Sequence, residues 1–312
     1  MLRTAMIAAG GGAVSAGVAM LALSGYPGGA ILAYLAPLPL LLVGLGLGAA
    51  ALPLAAAAGI GLVAATSGIA AAAVYGGLHA LPSWLIVRIA LAKKPEGPAG
   101  SVEWFPPGAV LCWLSALAAI MVLVGALGAW GEIESSVREV LDSALAVAAP
   151  AVDENDRAVL IAQIAPLFLG GTGVVWVTMM AINGVLAQGL LTRRGWNLRP
   201  SPQWSALKLP DWISWALVGA ALVGIAGDGD LRYLGRNLVL VFLVPYFFVG
   251  LAVVHGFVRT MPIPGLLLTG FYVILGLAFP GMGAAVAALG VIEEWVGVRR
   301  ALPFAPPGQG NE

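Results

Sequence analysis

The densest group of chemistry-bearing residues in the chain is "GDGDLRYLGRN", Gly227 to Asn237, with two carboxylates and two guanidinium groups in eleven residues. A calcium loop begun at Asp228 needs oxygen donors at its fifth and twelfth positions, where Arg232 and Val239 stand. Gly227 and Gly229 suit a tight turn. The acids therefore read as solvated residues of a hairpin, paired with Arg232 or Arg236 for under about 1 kcal/mol. Interest passes to Arg236 and Asn237, at the mouth of the apolar run that follows.

Polar side chains inside apolar runs are costly and are functional candidates for that reason. They are Gln163, Asn183, Gln188, Asn237, Glu293 and Glu294, with Tyr75 and Tyr246. Arg236, Asn237, Tyr246, Asn183 and Gln163 are the candidate contacts for a small solute. Glu293 and Glu294 are the candidates for an ion or proton site; the competing reading has them snorkel to the surface beside Arg299 and Arg300. The two histidines, His79 and His255, read as structural, and a single cysteine, Cys112, excludes an internal disulfide. The chain contains no G-x-x-x-x-G-K-[ST], H-E-x-x-H or C-x-x-C. No cofactor, metal or catalytic set is expected, and the protein reads as a non-enzyme.

The elements that carry these residues must be membrane helices. Hydrophobic residues make up 60% of the chain, charged residues only 10%, and the mean hydropathy is +0.97. Soluble domains run near a quarter charged. Apolar runs of 18 residues or more recur, long enough to cross a bilayer as helices, and the short alternating segments of a membrane barrel are missing. Fifteen basic residues balance fifteen acidic ones, so nothing points to nucleic acid. The expected fold is an all-α polytopic bundle whose first partner is the lipid bilayer.

Charge sets the orientation. Arg3, Arg88, Lys93, Lys94, Arg193, Arg194, Arg199, Lys208, Arg259, Arg299 and Arg300 mark cytoplasmic ends under the positive-inside rule, while acids gather in 132–156 and at Asp228 and Asp230. Parity then predicts about ten spans (eight to ten), both termini cytoplasmic, in one domain over 1–300. The spans fall near 5–23, 30–48, 51–68, 70–90, 106–129, 167–191, 211–226, 234–257, 264–279 and 281–297. The first reads as an uncleaved span, with a cleaved signal as the alternative. An external amphipathic helix is expected over 132–148, with Ile133, Val137, Val140, Leu141, Ala144 and Leu145 on one face. A cytoplasmic tail fills 301–312. In the first span, Ala9, Ala13 and Gly17, and beside them Ala8, Gly12 and Ala16, recur every four residues, a pattern that permits close packing against another helix or another membrane protein.

"LPDWISWALVGAALVGI", then "NLVLVFLVPYFFVGLAVVHGF" opened by Asn237, then "LGVIEEWVGVRR", together resemble the YybS-like family of uncharacterised bacterial membrane proteins. The resemblance is specific from Leu209 to Arg300, through Pro210, Trp212, Asn237, Gly250, Leu251, Ala252 and Arg299. Val249 stands where such proteins often carry Gln, and Glu293 or Glu294 supplies their usual late acid. The resemblance implies the bacterial cytoplasmic (inner) membrane and no established activity. A more distant likeness, to the substrate-binding components of energy-coupling-factor vitamin transporters, implies solute capture, although those components have about six spans. Two functions follow as expectations. The first is transport or binding of a small solute, captured from the outside between helices; the second is a non-catalytic scaffold of a membrane or envelope assembly, with the Gly/Ala faces of the first four spans as contact surfaces.

Overall fold

A computed structural model describes residues 2–21, 28–94, 103–202, 204 and 207–297. The described residues are all-α apart from one antiparallel pair of two-residue strands, Lys93–Lys94 and Glu103–Trp104. The helices are α1 (Leu2–Met20), α2 (Gly29–Ala33), α3 (Pro37–Leu47), α4 (Leu52–Tyr75), α5 (Leu81–Ala90), α6 (Pro107–Leu127), α7 (Ile133–Ala148), α8 (Glu154–Ile164), α9 (Phe168–Arg194), α10 (Trp212–Ala226), α11 (Gly229–Val258), α12 (Pro264–Leu277) and α13 (Phe279–Val296). Among the described residues six helical stretches are long and apolar enough to cross a membrane, and Ile31–Leu47, Trp212–Ala226 and Pro264–Leu277 are shorter apolar helices. Large apolar side chains such as Ile69, Ile225 and Leu277 lie exposed on helix exteriors. Such an exterior suits hydrocarbon, where exposed apolar atoms carry no penalty. The predicted tail 301–312, with Arg299 and Arg300, lies outside the described residues.

The chain divides into two compact units. Unit 1 holds residues 1–110 and 178–203, and unit 2 holds 111–177 and 204–312. In unit 1 the 39-residue stretch Leu52–Ala90 is too long for one crossing. It folds back at Gly68, whose backbone (φ 86, ψ 171) leaves the helix in a region open to glycine. A Cβ at Gly76 would lie 3.6 Å from Ile60 Cδ1, and one at Gly59 would lie 2.5 Å from Tyr75 Oη. In a straight helix, Ile60 and Gly76 would be about 24 Å apart. The two arms therefore run antiparallel, with Gly59 making room for Tyr75.

The first helix packs on α4 through its small residues. Ala8, Gly12, Ser15 and Ala16 are buried, and a Cβ at Gly12 would overlap the Ala55 carbonyl. Ala9 and Ala13 are half-buried and Gly17 is exposed with nothing within 4 Å of its Cβ position. Tyr75 Oη donates to Ser15 Oγ (2.8 Å), which donates to the Ala36 carbonyl (2.6 Å), so two polar groups close on each other inside the apolar crossing. Gly12→Leu is expected to destabilise unit 1 by about 3 kcal/mol or more, because backbone stands where the side chain must go. Gly17→Leu is expected to be neutral within about 0.5 kcal/mol. Unfolding of both variants in detergent checks the pair.

In unit 2, α10 and α11 form a hairpin in which Gly224 and Gly235 bring the backbones into contact. α11 crosses α13 as closely: a Cβ at Gly250 would overlap the Val286 carbonyl, and one at Gly290 the Tyr246 carbonyl. The α7–α8 pair buries Val137, Leu141, Ile161 and Ala165 together. Ile133 is buried with them on the face of α7, whereas Val140 (62% exposed) and Ala144 lie outside it. The buried stripe of α7 repeats every four residues and is narrower than the predicted face.

Candidate functional site

The opening turn is shorter than the expected hairpin: α10 ends at Ala226 and α11 begins at Gly229. Asp228 pairs with Arg232 (3.0 Å), and Arg232 Nε donates to the Gly227 carbonyl (2.9 Å). Asp230 departs from the expectation of a solvated acid. Its carboxylate accepts from the backbone N–H of Gly131 and of Ile133 (3.3 Å), at the start of α7. These amides have no intrahelical partner, and a carboxylate there also complements the helix dipole. Asp230 thus ties the α7 N-terminus to α11.

Asn237 is fully buried, and its carboxamide is used up by backbone. Nδ2 donates to the Pro166 carbonyl (3.0 Å) and to the Tyr233 carbonyl (2.8 Å), while Oδ1 accepts from Gly170 N–H (2.7 Å). One turn earlier, Tyr233 Oη donates to the Ala165 carbonyl (2.9 Å). Pro166 lies in the single 3-10 turn, Ala165–Leu167, that separates α8 from α9. Proline lacks the N–H a helix needs, and the start of α9 has unpaired amides. Asn237 and Tyr233, one turn apart on α11, satisfy the break. Gly170 admits this contact, since a Cβ there would lie 2.5 Å from the Asn237 carbonyl oxygen, and Gly173 packs on Val241 in the same way.

The other predicted solute contacts do not gather around Asn237. Arg236 is exposed, and Gln163 is exposed on α8, ahead of the break. Asn183 belongs to unit 1, where Nδ2 donates to the carbonyls of Tyr34 and Met179 (2.8 Å each). Gln188, also in unit 1, donates to the Arg199 carbonyl (2.9 Å). Tyr246 is nine residues beyond Asn237, about 14 Å along α11. Glu293 is buried in the α13 packing face.

Tyr246 and Glu294 instead lead to a groove in unit 2. Asp211, Ser214, Trp215 and Val218 stand at i, i+3, i+4 and i+7, which places them on one face at the start of α10. Glu294 and Trp295 of α13 close the other side, and the groove has a volume of about 410 Å³. At its base Ser214 Oγ and Tyr246 Oη share a hydrogen bond (2.8 Å). Glu294 Oε1 accepts from Leu209 N–H (3.4 Å), which holds the carboxylate near the start of α10. Trp212 stacks obliquely on Trp113 (5.7 Å between rings) and fixes the same turn from behind. Trp215 and Trp295 remain 76% and 62% exposed, so both indoles are open to a ligand.

Among the described residues, two carboxylates, two indoles and a hydroxyl line this groove beside Val218, with no Lys or Arg. Such a lining recognises a positive charge by Coulomb attraction and by the indole quadrupole. Asp211, Ser214, Trp215 and Trp295 were not among the candidates from sequence; the polar i, i+3, i+4 pattern opening an apolar helix was the available signal. Among the described residues no three His, Cys, Asp or Glu come together as metal ligands.

A model of the family described as "Predicted membrane protein (DUF2232)" matches residues 13–293. Neither a curated protein nor a solved structure matches the chain.

Proposed function

From the premise that the chain belongs to this DUF2232 family of predicted membrane proteins, we propose that it is a transport or solute-binding membrane component whose ligand is a small organic cation. The observation that carries this reading is the convergence of Asp211, Glu294, Trp215, Trp295 and Ser214 on one groove of unit 2. The narrower kinship with YybS-like proteins and the distant likeness to energy-coupling-factor substrate-binding components fit a binding role without catalysis. In this reading the chain crosses the bacterial cytoplasmic membrane ten times. The Gly68 reversal splits Leu52–Ala90 into two crossings, and both termini are cytoplasmic. The groove then lies at the cytoplasmic ends of α10 and α13, so the solute exchanges on that side rather than being captured from outside.

The scaffold alternative draws on small-residue faces of the first helices. Gly12 and Ala16 are already buried within unit 1, whereas Gly10, Gly17 and Gly61 stay exposed and open to a partner. Thermal unfolding in detergent tests the solute reading. Tetramethylammonium or a primary diamine is expected to raise the midpoint, and matched neutral and anionic solutes are not. Glu294→Gln and Trp295→Ala are each expected to weaken the apparent affinity about tenfold, the size of one lost charge or cation–π contact. Equal stabilisation by anions would end the reading.

A further inference from the structure

Ser214 and Tyr246 carry two hydroxyl hydrogens and share one hydrogen bond (2.8 Å). Among the described residues, each of these hydroxyls has only the other as its partner. Tyr246 is fully buried, whereas Ser214 is half-buried and lines the groove. A buried hydroxyl hydrogen without an acceptor is costly, so Tyr246 donates and Ser214 Oγ accepts. The hydrogen left over is that of Ser214, and it lies at the groove. A helical serine can turn its hydrogen back to the carbonyl one turn earlier. That carbonyl belongs to Pro210 and accepts instead from Ile213 N–H (3.2 Å). Ile213 and Leu217 are buried on the adjoining face of α10, which fixes the helix rotation that presents Ser214.

This donor stands beside groups that attract a cation. Asp211 is one turn before Ser214, a spacing that sets Cβ atoms about 5–6 Å apart, and Glu294 and Trp295 face them across the groove. A tetraalkylammonium ion meets the charge requirement but leaves the Ser214 hydrogen against hydrocarbon. A diamine sets N–H against O–H, donor against donor. We propose that the ligand is an organic cation with an oxygen acceptor two carbons from its nitrogen, the pattern of an amino alcohol or amino ether; this rests on the cation reading of the groove. The nitrogen takes the space between the carboxylates and the indoles of Trp215 and Trp295, the oxygen accepts from Ser214 Oγ, and Val218 packs on the carbons. Tyr246 touches no ligand atom. It is a positioning residue that occupies one lone pair of Ser214 Oγ and keeps the hydrogen turned outward.

Titration of the full chain in detergent with (2-methoxyethyl)trimethylammonium and with its isostere butyltrimethylammonium tests this by the ratio of the two affinities. The ions share charge and shape, neither donates a hydrogen bond, and only the ether accepts one. The wild type is expected to bind the ether about fivefold more tightly or better, the size of one hydrogen bond that the alkyl chain leaves unmade. Ser214→Ala is expected to bring the ratio to about one. Because that variant strands the Tyr246 hydroxyl, Ser214→Ala/Tyr246→Phe is measured beside it; removing both partners together costs little, and the same ratio is expected. Tyr246→Phe alone is expected to lower the ratio to about twofold, since Ser214 can then turn its hydrogen aside; an unchanged ratio there would overturn the positioning role. Equal affinities in the wild type would overturn the oxygen-bearing ligand and leave the cation reading standing. A preference that survives in both serine variants would overturn it too, since the oxygen would then have another donor. Binding of neither ion would overturn both readings.

Discussion

Replacing Asn237 with alanine is expected to lower the stability of unit 2 by on the order of 2–4 kcal/mol, the largest effect of any single polar substitution in the protein. The change removes three hydrogen bonds at once and leaves the Pro166 carbonyl and the Gly170 amide without their side-chain partner at the helix break. An abandoned buried donor or acceptor costs about 1–3 kcal/mol, and no water stands by inside a bundle to repay it. Asn237→Asp is expected to be nearly as damaging, because a carboxylate accepts from Gly170 but cannot donate to Pro166. Tyr233→Phe is expected to cost only about 1 kcal/mol, since the Ala165 carbonyl still receives the Phe168 N–H. Reversible unfolding in mixed micelles measures the series. An Asn237→Ala variant within about 0.5 kcal/mol of wild type would show that the break holds without its latch.

Gly290→Ala is expected to follow, with a loss of about 1–3 kcal/mol or more from overpacking. The new methyl group would meet the Tyr246 carbonyl and stand 3.0 Å from Gly250 N, both backbone that cannot rotate away. The same change has a functional consequence. Glu294 is one turn past Gly290, and the groove depends on α13 lying against α11, whose Tyr246 meets Ser214 at the base. Driving α13 outward is expected to remove cation binding together with stability. Gly281→Ala, on the same helix with nothing within 4 Å, is the matched control and is expected to be neutral in both readouts.

Much of the fold was legible because a membrane helix must satisfy its own backbone and bury its turns in hydrocarbon, which leaves long apolar runs in the sequence. The break between the expected spans 51–68 and 70–90 came from the parity of the charged ends together with span length, and the backbone leaves the helix at Gly68. Asn237 stood out as a costly polar residue, and its burial agrees with that. Its role did not stand out, because the groups it serves, Pro166 and Gly170, belong to another helix. The site was hidden for the same reason. Asp211 and Glu294 are far apart in sequence, and each has a plausible local explanation as a helix-end acid near the surface. Trp215 and Trp295 read equally well as interfacial anchors. Only the α11–α13 crossing, set by Gly250 and Gly290, brings the two ends into one groove. Asp230 was misread as solvated because sequence spacing ties it to Arg232 and Arg236, whereas its partners are backbone amides of Gly131 and Ile133.

The central claim is that this groove holds a cation, and isothermal titration of the intact protein in lipid nanodiscs with tetramethylammonium addresses it most directly. The account predicts one site per chain in the wild type and a Kd at least about thirtyfold higher in Asp211→Asn/Glu294→Gln, in keeping with about tenfold per 1.4 kcal/mol of lost attraction. A Kd unchanged in that double variant, or no binding of tetramethylammonium by the wild type, would contradict it.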